Sequence, residues 1–192
     1  MTPSIPRSCP GGKSWDKVAA CLARFGKVTT LKTQPSVRLV QLIDDKGGFR
    51  ISGLYLYTLD EGHWHVGGML EGEDLHKLVA FERYKVGHSS GYRFDVSFSR
   101  PEDVMLDGQI LHVHVRQKLA VFCSGQSQTC SPAVVACDVY VQGKSYWTFR
   151  GTLEIAAATR TILIRGDRSK TGGACEPPEE VFLPLVPEID FE

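Results

Sequence analysis

Most of the chain consists of short apolar and alternating runs separated by turn residues. In residues 92–99 every second position is apolar, and the positions between them are polar. Residues 147–155 alternate in the same way apart from Gly151. This alternation is typical of a strand with one buried and one solvated face. Nine runs have strand length: 37–43, 49–59, 63–70, 78–86, 92–99, 109–122, 134–141, 146–156 and 161–165.

The connections between these runs favour an antiparallel arrangement. Segments such as 60–62, 89–91 and 143–144 are too short for parallel crossovers, so neighbouring strands should form hairpins. Glycines within the runs permit sharp coiling of the strands. We therefore predict a mainly β fold, a curled antiparallel up-and-down meander of about nine strands that forms an open barrel or half-barrel.

One helix is predicted near the N-terminus. Ser14 is a suitable N-cap, Gly26 a suitable stop, and the apolar positions between them form one stripe. The run 49–59 is apolar on both faces, with Tyr55 and Tyr57 opposite Leu54 and Leu56, so its second face needs a cover. The N-terminal helix is the expected cover.

The length of 192 residues suits one domain with one sizeable core. We expect residues 1–192 to form a single domain: an extended lead over 1–13, the helix over 14–26, the sheet over 28–166 and a Pro-rich acidic segment over 167–192. That last segment should be an extended tail or edge rather than a helix, because its prolines interrupt helical hydrogen bonding.

Six cysteines, an even number, predict a disulfide framework and an oxidising compartment, so the protein is expected to be secreted, periplasmic or on the cell surface. We expect Cys9 to pair with Cys21, which ties the N-terminal lead to the helix. The other four permit three pairings, among which the sequence does not choose: Cys123, Cys130, Cys137 and Cys175. The chain contains no Asn and hence no N-glycosylation acceptor, which favours a bacterial origin. No export signal precedes the polar N-terminal lead, so that lead is interpreted as a mature N-terminus.

The charge balance disfavours nucleic-acid binding. The chain has 22 basic and 22 acidic residues, so its formal net charge is zero. It therefore has no overall positive electrostatic potential that would attract a polyanion regardless of the polyanion's sequence. No apolar run reaches the roughly 18 residues of a membrane-spanning helix, so no transmembrane segment is expected.

Two His-x-His pairs are candidates for metal chemistry, His63 with His65 and His112 with His114, because side chains two apart on a strand share a face. The first pair, with His88 downstream, resembles the zinc-binding pattern of the α-type carbonic anhydrases. Residues 146–153 are similar to that family's Tyr-Trp-Thr strand. The resemblance implies a zinc-activated hydroxide.

The chain departs from that family where its Glu-His-Thr segment would be, at residues 75–77, and after the Tyr-Trp-Thr strand, at residues 154–157. Solvated strand faces explain both His pairs without a metal, with Trp64, Val66, Val113 and Val115 pointing inward. We therefore expect no catalytic residue and no cofactor; His63, His65 and His88 are the ligands if zinc binds at all.

Three functions remain open. The first is a noncatalytic binding or carrier module for a hydrophobic ligand or lipid, because a curled sheet with a helix can enclose an apolar pocket. The second is a surface or assembly protein that makes protein contacts, and the third is a zinc enzyme. For the first, the expected ligand-binding residues are the large inward aromatics: Tyr55, Tyr57, Trp64, Tyr92, Phe94 and Trp147.

Overall fold

The computed structural model describes residues 9, 11–43, 53–71, 77–86, 89–106, 108–125, 130–141, 144–184 and 186–187. They form one α-helix, α1 (Trp15–Leu22), one 3-10 turn (Gly173–Cys175) and thirteen strands. The strands are β1 (Gly11–Gly12), β2 (Lys27–Gln34), β3 (Val37–Ile43), β4 (Gly53–Asp60), β5 (His63–Glu71), β6 (Lys77–Val86), β7 (Ser89–Leu106), β8 (Gln109–Cys123), β9 (Cys130–Val141), β10 (Lys144–Ala156), β11 (Thr161–Gly166), β12 (Glu180–Phe182) and β13 (Val186–Pro187).

The predicted mainly β, curled antiparallel fold with one helix is confirmed, and it is divided between two sheets. The first sheet has the order β1-β5-β4-β3-β2, in which β2 to β5 form an up-and-down meander. The second sheet has the order β12-β11-β10-β9-β8-β7, with β6 and β13 also paired to β7. The second sheet curls so that β11 and β12 contact β9, which produces a half-barrel.

Helix α1 is shorter than the predicted 14–26. Ser14 occupies the N-cap position with extended backbone angles, but its side chain makes no capping hydrogen bond. After Leu22 the amides of Arg24 and Phe25 bond three residues back rather than four, so the chain tightens into a turn. No helix in the described ranges has the length and apolar character needed to cross a membrane.

The helix covers the outer face of the first sheet, as expected from the two-sided apolar pattern of residues 49–59. Val18 and Leu22 of the helix pack on a group of buried residues that we call the helix cluster. Its sheet members are Val40, Leu42, Tyr55, Tyr57, Trp64 and Val66. The part of the predicted strand before Gly53 lies outside the described residues.

The inner face of the first sheet packs on the second sheet. Leu39, Leu54 and Leu56 meet Phe94 and Val121 in a second buried cluster. A closer approach occurs at the bulge in β5, where a methyl group on Gly67 would lie 2.5 Å from the carbonyl oxygen of Gly125. The Gly125 carbonyl also accepts a 3.0 Å hydrogen bond from Thr58 Oγ1, so the two sheets are joined by polar as well as apolar contacts.

Three disulfides stabilise the described chain. The expected Cys9–Cys21 bond is present, and the remaining bonds are Cys123–Cys130 and Cys137–Cys175. The Tyr57 hydroxyl donates to the Cys9 carbonyl at 3.1 Å, which holds the N-terminal lead against the helix cluster.

The strand predictions need two corrections. The run 27–34 was not predicted, yet it forms β2 at a sheet edge, because most of its residues are polar and exposed and give little alternation signal. Strand β7 extends to Leu106 rather than Ser99, although it contains Pro101. Among the described residues, the pairing of β6 with β7 ends at Ser97, so Pro101 lies beyond it and pairs only with His114 of β8.

The described part of the acidic C-terminal segment contains the 3-10 turn Gly173–Cys175, followed by two short strands. Strand β12 pairs with β11 at the sheet edge, and β13 pairs with the start of β7. The buried Tyr84 hydroxyl donates to the Pro184 carbonyl at 2.7 Å and anchors the segment between these strands. Residues 185 and 188–192 lie outside the described residues.

Candidate functional site

Half of the aromatic residues predicted to bind a ligand belong to the helix cluster. Tyr55 and Tyr57 are 0% exposed and Trp64 is 5% exposed. Trp15 of α1 packs edge-on against Tyr57 and Trp64, with ring centroids 5.6 and 5.2 Å apart. Burial also raises the pKa of the Tyr57 phenol. These rings therefore pack as a solid core layer between the sheet and the helix.

The other three predicted aromatics lie elsewhere. Phe94 is buried between the two sheets, where it stacks on Phe81 at a centroid distance of 6.4 Å, and the half-buried Tyr92 flanks the same cluster. Trp147 is half-buried against a third cluster, formed by buried residues of the second sheet. It lies so close to the backbone at Gly172 that a methyl group there would be 2.7 Å from its indole nitrogen. The six aromatics thus lie in three clusters and are not brought together around one cavity.

The His63 and His65 pair lies on β5 with ring centroids 6.2 Å apart. Trp64 and Val66, on the opposite face, are buried, so the predicted inward and outward assignment is confirmed there. His63 Nδ1 lies 3.3 Å from the carbonyl oxygen of Glu61. His88, the third residue of the zinc hypothesis, lies outside the described residues.

The His112 and His114 pair lies on β8, in the other sheet, so the two pairs do not converge. Both side chains are exposed, while Val113 and Val115 are buried as predicted. His112 contacts the Asp103 carboxylate and His114 contacts the Ser99 hydroxyl across the β7–β8 hairpin. Within the described ranges, no three His, Cys, Asp or Glu side chains are grouped in a way that could hold a metal ion.

A cavity of about 490 Å³ lies on the outer face of the second sheet, away from all six predicted aromatics. Its lining comes from four adjacent strands, β6 to β9. We call this surface the basic face and define it by the outward residues of the lining and their neighbour on β10: Lys77, Ser97, Ser99, Arg116, Lys118, Ala136, Asp138 and Arg150.

Strand pairing positions the basic face. Ser97 lies opposite Lys118, and Ser99 lies opposite Arg116, in the β7–β8 pair. Arg116 in turn lies opposite Asp138 in the β8–β9 pair. Cross-strand partners project from the same side of a sheet, so these side chains converge on one surface.

Cations outnumber carboxylates on this surface. Asp138 is held by Arg150, whose Nη2 lies 2.7 Å from both carboxylate oxygens. Asp95, which borders the face, lies 3.4 Å from the Lys118 ammonium. Lys77 and Arg116 have no carboxylate partner among the described residues.

The Asp95 carboxylate is shared with a second cation. Arg93 pairs with Asp95 at 3.0 Å and with Glu82 at 3.2 Å, so Arg93 and Glu82 balance each other. Among the described residues, the remaining charges of the basic face and its border are four cations and two carboxylates, an excess of two positive charges: Lys77, Arg116, Lys118 and Arg150 against Asp95 and Asp138.

Arg116 is oriented by an aromatic ring. Its guanidinium carbon lies 5.1 Å from the centroid of the Tyr140 ring, a cation–π contact. An Arg edge, an ammonium and serine hydroxyls together make a set of hydrogen-bond donors suited to carboxylate, phosphate or sulfate groups.

The sequence carries a partial signal for the basic face that was not used in the predictions. In β8 the outward positions are His112, His114, Arg116 and Lys118, and the positions between them are mostly apolar. From the sequence, His112 and His114 are considered as candidate metal ligands, and no role is assigned to Arg116 and Lys118 beyond them. Arg116 and Lys118 lie beside Lys77 and Arg150 only because of the pairing registers between strands β6 to β10, which the sequence pattern does not show.

Comparison with known proteins gives no family and no functional assignment: no family model, no curated protein and no solved structure matches the chain significantly.

Proposed function

We propose that this protein is a noncatalytic, disulfide-stabilised binding module whose ligand carries an anionic group. The observation that supports the proposal most strongly is the cavity of about 490 Å³ on the basic face, with Lys77 and Arg116 directed at it and without a carboxylate partner among the described residues. Binding sites for small ligands typically have volumes of roughly 300–1,000 Å³, so the size is adequate.

The chemistry of the face favours anions over apolar ligands. Hydrogen bonds from a charged donor to a charged acceptor are about twice as strong as neutral ones, and Arg116 is already oriented by Tyr140. The apolar-ligand hypothesis depends on aromatics that pack against the sheets and α1, so an apolar pocket there would require a rearrangement of the core.

The three disulfides are compatible with the proposed extracellular or periplasmic location, because such bonds persist in oxidising compartments. Disulfides also raise the stability of a binding module, because they reduce the conformational entropy of its unfolded state.

Isothermal titration at low ionic strength tests the proposal. Inorganic pyrophosphate and citrate are the anionic probes, and lauric acid is the apolar probe. We expect pyrophosphate or citrate to bind, and we expect Arg116→Gln to weaken binding about tenfold, because a charge-assisted hydrogen bond contributes about 1.5–3 kcal/mol. The matched control is Arg165→Gln. Arg165 is an exposed residue of β11 whose Nε lies 3.7 Å from the Glu154 carboxylate, and its replacement should leave binding unchanged.

The outcomes are distinct. Equal loss of affinity in both arginine variants would indicate a general charge effect and contradict a specific site. Binding of lauric acid alone, unaffected by Arg116→Gln, would favour the hydrophobic-carrier hypothesis instead. Absence of binding to all three probes would overturn the proposal.

A second candidate function is assembly through protein contacts. Met105 and Ile110 are directly opposite each other near the tip of the β7–β8 hairpin and are 72% and 65% exposed. Paired exposed apolar side chains of this kind favour association with another copy of the chain. Sedimentation velocity over a hundredfold concentration range tests it: a dimer that Ile110→Lys dissociates supports assembly, and a monomer throughout contradicts it.

A further inference from the structure

One hydroxyl group of the cavity is in contact with a histidine outside it. Ser99 lines the cavity and lies directly opposite Arg116 in the β7–β8 pair. The Ser99 hydroxyl is hydrogen-bonded to Nε2 of His114, an exposed residue that lies outside the cavity lining. His114 and Arg116 are two residues apart on β8 and project to the same side, so the imidazole stands beside the anion site.

The direction of this hydrogen bond depends on the charge of the imidazole. A serine hydroxyl has one hydrogen to donate and two lone pairs that accept. A neutral imidazole can accept that hydrogen at an unprotonated Nε2, whereas a protonated imidazole carries hydrogen on both nitrogens and can only donate. Protonation of His114 therefore makes the Ser99 hydroxyl the acceptor of the bond and frees its hydrogen for another partner.

We infer that His114 is a positioning residue that makes anion binding in the cavity tighter in acid than at neutral pH. The inference rests on the proposed function and adds the regulation of the same site. While a neutral His114 holds the Ser99 hydrogen, Ser99 presents only lone pairs to the cavity, which disfavours an anion. After protonation Ser99 can donate to an anion bound at Arg116, and the imidazolium adds a positive charge beside it.

The neighbours of His114 leave this switch to Ser99. The residues that face His114 from the three strands are His112 and Arg116 on β8, Tyr140 and Asp138 on β9, and Pro101 and Asp103 on β7. Asp103 contacts His112, and both carboxylate oxygens of Asp138 lie 2.7 Å from Arg150. Both carboxylates are thus engaged with other groups, and among the described residues Ser99 is the hydrogen-bond partner of His114.

The test is isothermal titration of the full chain with sulfate at low ionic strength, at about pH 5.5 and about pH 7.5, because histidine ordinarily changes charge in this range. Sulfate stays fully ionised throughout, unlike pyrophosphate and citrate. We expect sulfate to bind about tenfold tighter at the lower pH, since a hydrogen bond to a charged group is gained. His114→Gln should remove most of this pH dependence, because a glutamine side chain does not titrate.

Two further variants separate the hydrogen bond from the added charge. His112→Gln is the matched control: His112 is an exposed histidine of the same strand, its contact is Asp103, and its loss should leave the pH dependence in place. Ser99→Ala removes the hydroxyl and should reduce the pH dependence to the effect of the imidazolium charge alone. Ser99 and His114 are both exposed, so these substitutions should not prevent folding.

A measurement without ligand tests the switch itself. Nitrogen NMR of the imidazole should show Nε2 of His114 without hydrogen at about pH 7.5 and with hydrogen at about pH 5.5.

Three results would overturn the inference while leaving the proposed function in place. The first is equal affinity for sulfate, or no sulfate binding, at the two pH values. The second is a pH dependence that His114→Gln or Ser99→Ala leaves unchanged, and the third is an Nε2 that already carries hydrogen when the ring is neutral. Failure of the wild type to bind sulfate, pyrophosphate and citrate at either pH would remove the proposed function as well.

Discussion

The outer faces of the two sheets differ in what lies over them. The outer face of the first sheet carries Tyr55, Tyr57 and Trp64 and is sealed by α1. The outer face of the second sheet carries Lys77 and Arg116 at its cavity and stays open to solvent there. An aromatic-rich face must be covered for the fold to be stable, and the cover then removes it as a binding surface. A ligand from solution can therefore reach the outer face of the second sheet but not the outer face of the first.

The largest expected effect concerns the sealed face. Trp64→Ala should destabilise the protein by about 3–5 kcal/mol, because a buried ring is lost and a cavity remains under Trp15. Chemical denaturation measures the change. Phe182→Ala, at a 60% exposed edge position, is the control and should cost less than about 1 kcal/mol. Similar small costs for both variants would mean that the sealed face is not a packed core.

Removal of the Cys9–Cys21 bond should have the next largest effect. The double variant Cys9→Ser with Cys21→Ser opens a loop with a sequence separation of 12 and should cost about 2–3 kcal/mol in urea denaturation. Because the bond supports the sealed face only, pyrophosphate or citrate affinity of the folded variant should be unchanged. Loss of anion binding by the folded variant would show that the two faces are not independent.

The contact between the two sheets can be tested at a glycine. A methyl group on Gly68 would lie 2.6 Å from Cys130 Sγ and 3.0 Å from the Cys123 Cβ, so Gly68→Ala should destabilise by about 1–3 kcal/mol. Gly12→Ala is the control, since its nearest side-chain atom would be 3.9 Å away in Val18. Thermal denaturation that finds equal stability in both variants would contradict the close approach of β5 to the β8–β9 disulfide.

The smallest expected effect concerns the C-terminal anchor. Tyr84→Phe removes the hydrogen bond to the Pro184 carbonyl and should cost about 1 kcal/mol at neutral pH. Tyr146→Phe, on a half-exposed ring, should change stability by less than about 0.5 kcal/mol. The difference between the two variants is measured by urea denaturation, and equal stabilities would contradict the anchor.

The same tyrosine predicts a pH dependence. Burial raises the pKa of Tyr84 from 10.0 to about 12, so the folded state keeps the phenol proton after the unfolded state has lost it. This contribution to stability is complete below pH 10 and is lost as the pH rises towards 12. The stability difference between the wild type and Tyr84→Phe should therefore shrink over that range. A constant difference would mean that the hydroxyl is solvated.

Local patterns predicted much of the fold. The alternation in residues 92–99 placed Phe94 and Val96 inward, and both are buried. The two-sided apolar run at 49–59 required a cover, and the stripe of the N-terminal helix provides it. The short span between Cys9 and Cys21 indicated their pairing. Each of these inferences uses residues that are close in sequence, where periodicity and chain length limit the alternatives.

The basic face could not be predicted from hydrophobic periodicity, because it depends on how separate strands pair with one another. The basic face from Lys77 to Arg150 requires four strand registers, and irregularities shift three of them, between Leu78 and Ala80, between Lys118 and Leu119, and between Ser145 and Trp147. A change of one residue in any of these registers would move a cation to the opposite face. The aromatics attracted the ligand prediction because they are the largest apolar side chains, but the same property is what buries them.

An NMR titration with inorganic pyrophosphate compares the two faces in one experiment. We predict that the largest backbone amide shift changes occur at Ser97, Arg116 and Lys118, and that Tyr55, Tyr57 and Trp64 are unaffected. Shift changes centred on the helix cluster, or none anywhere at saturating pyrophosphate and low salt, would contradict a binding site on the basic face.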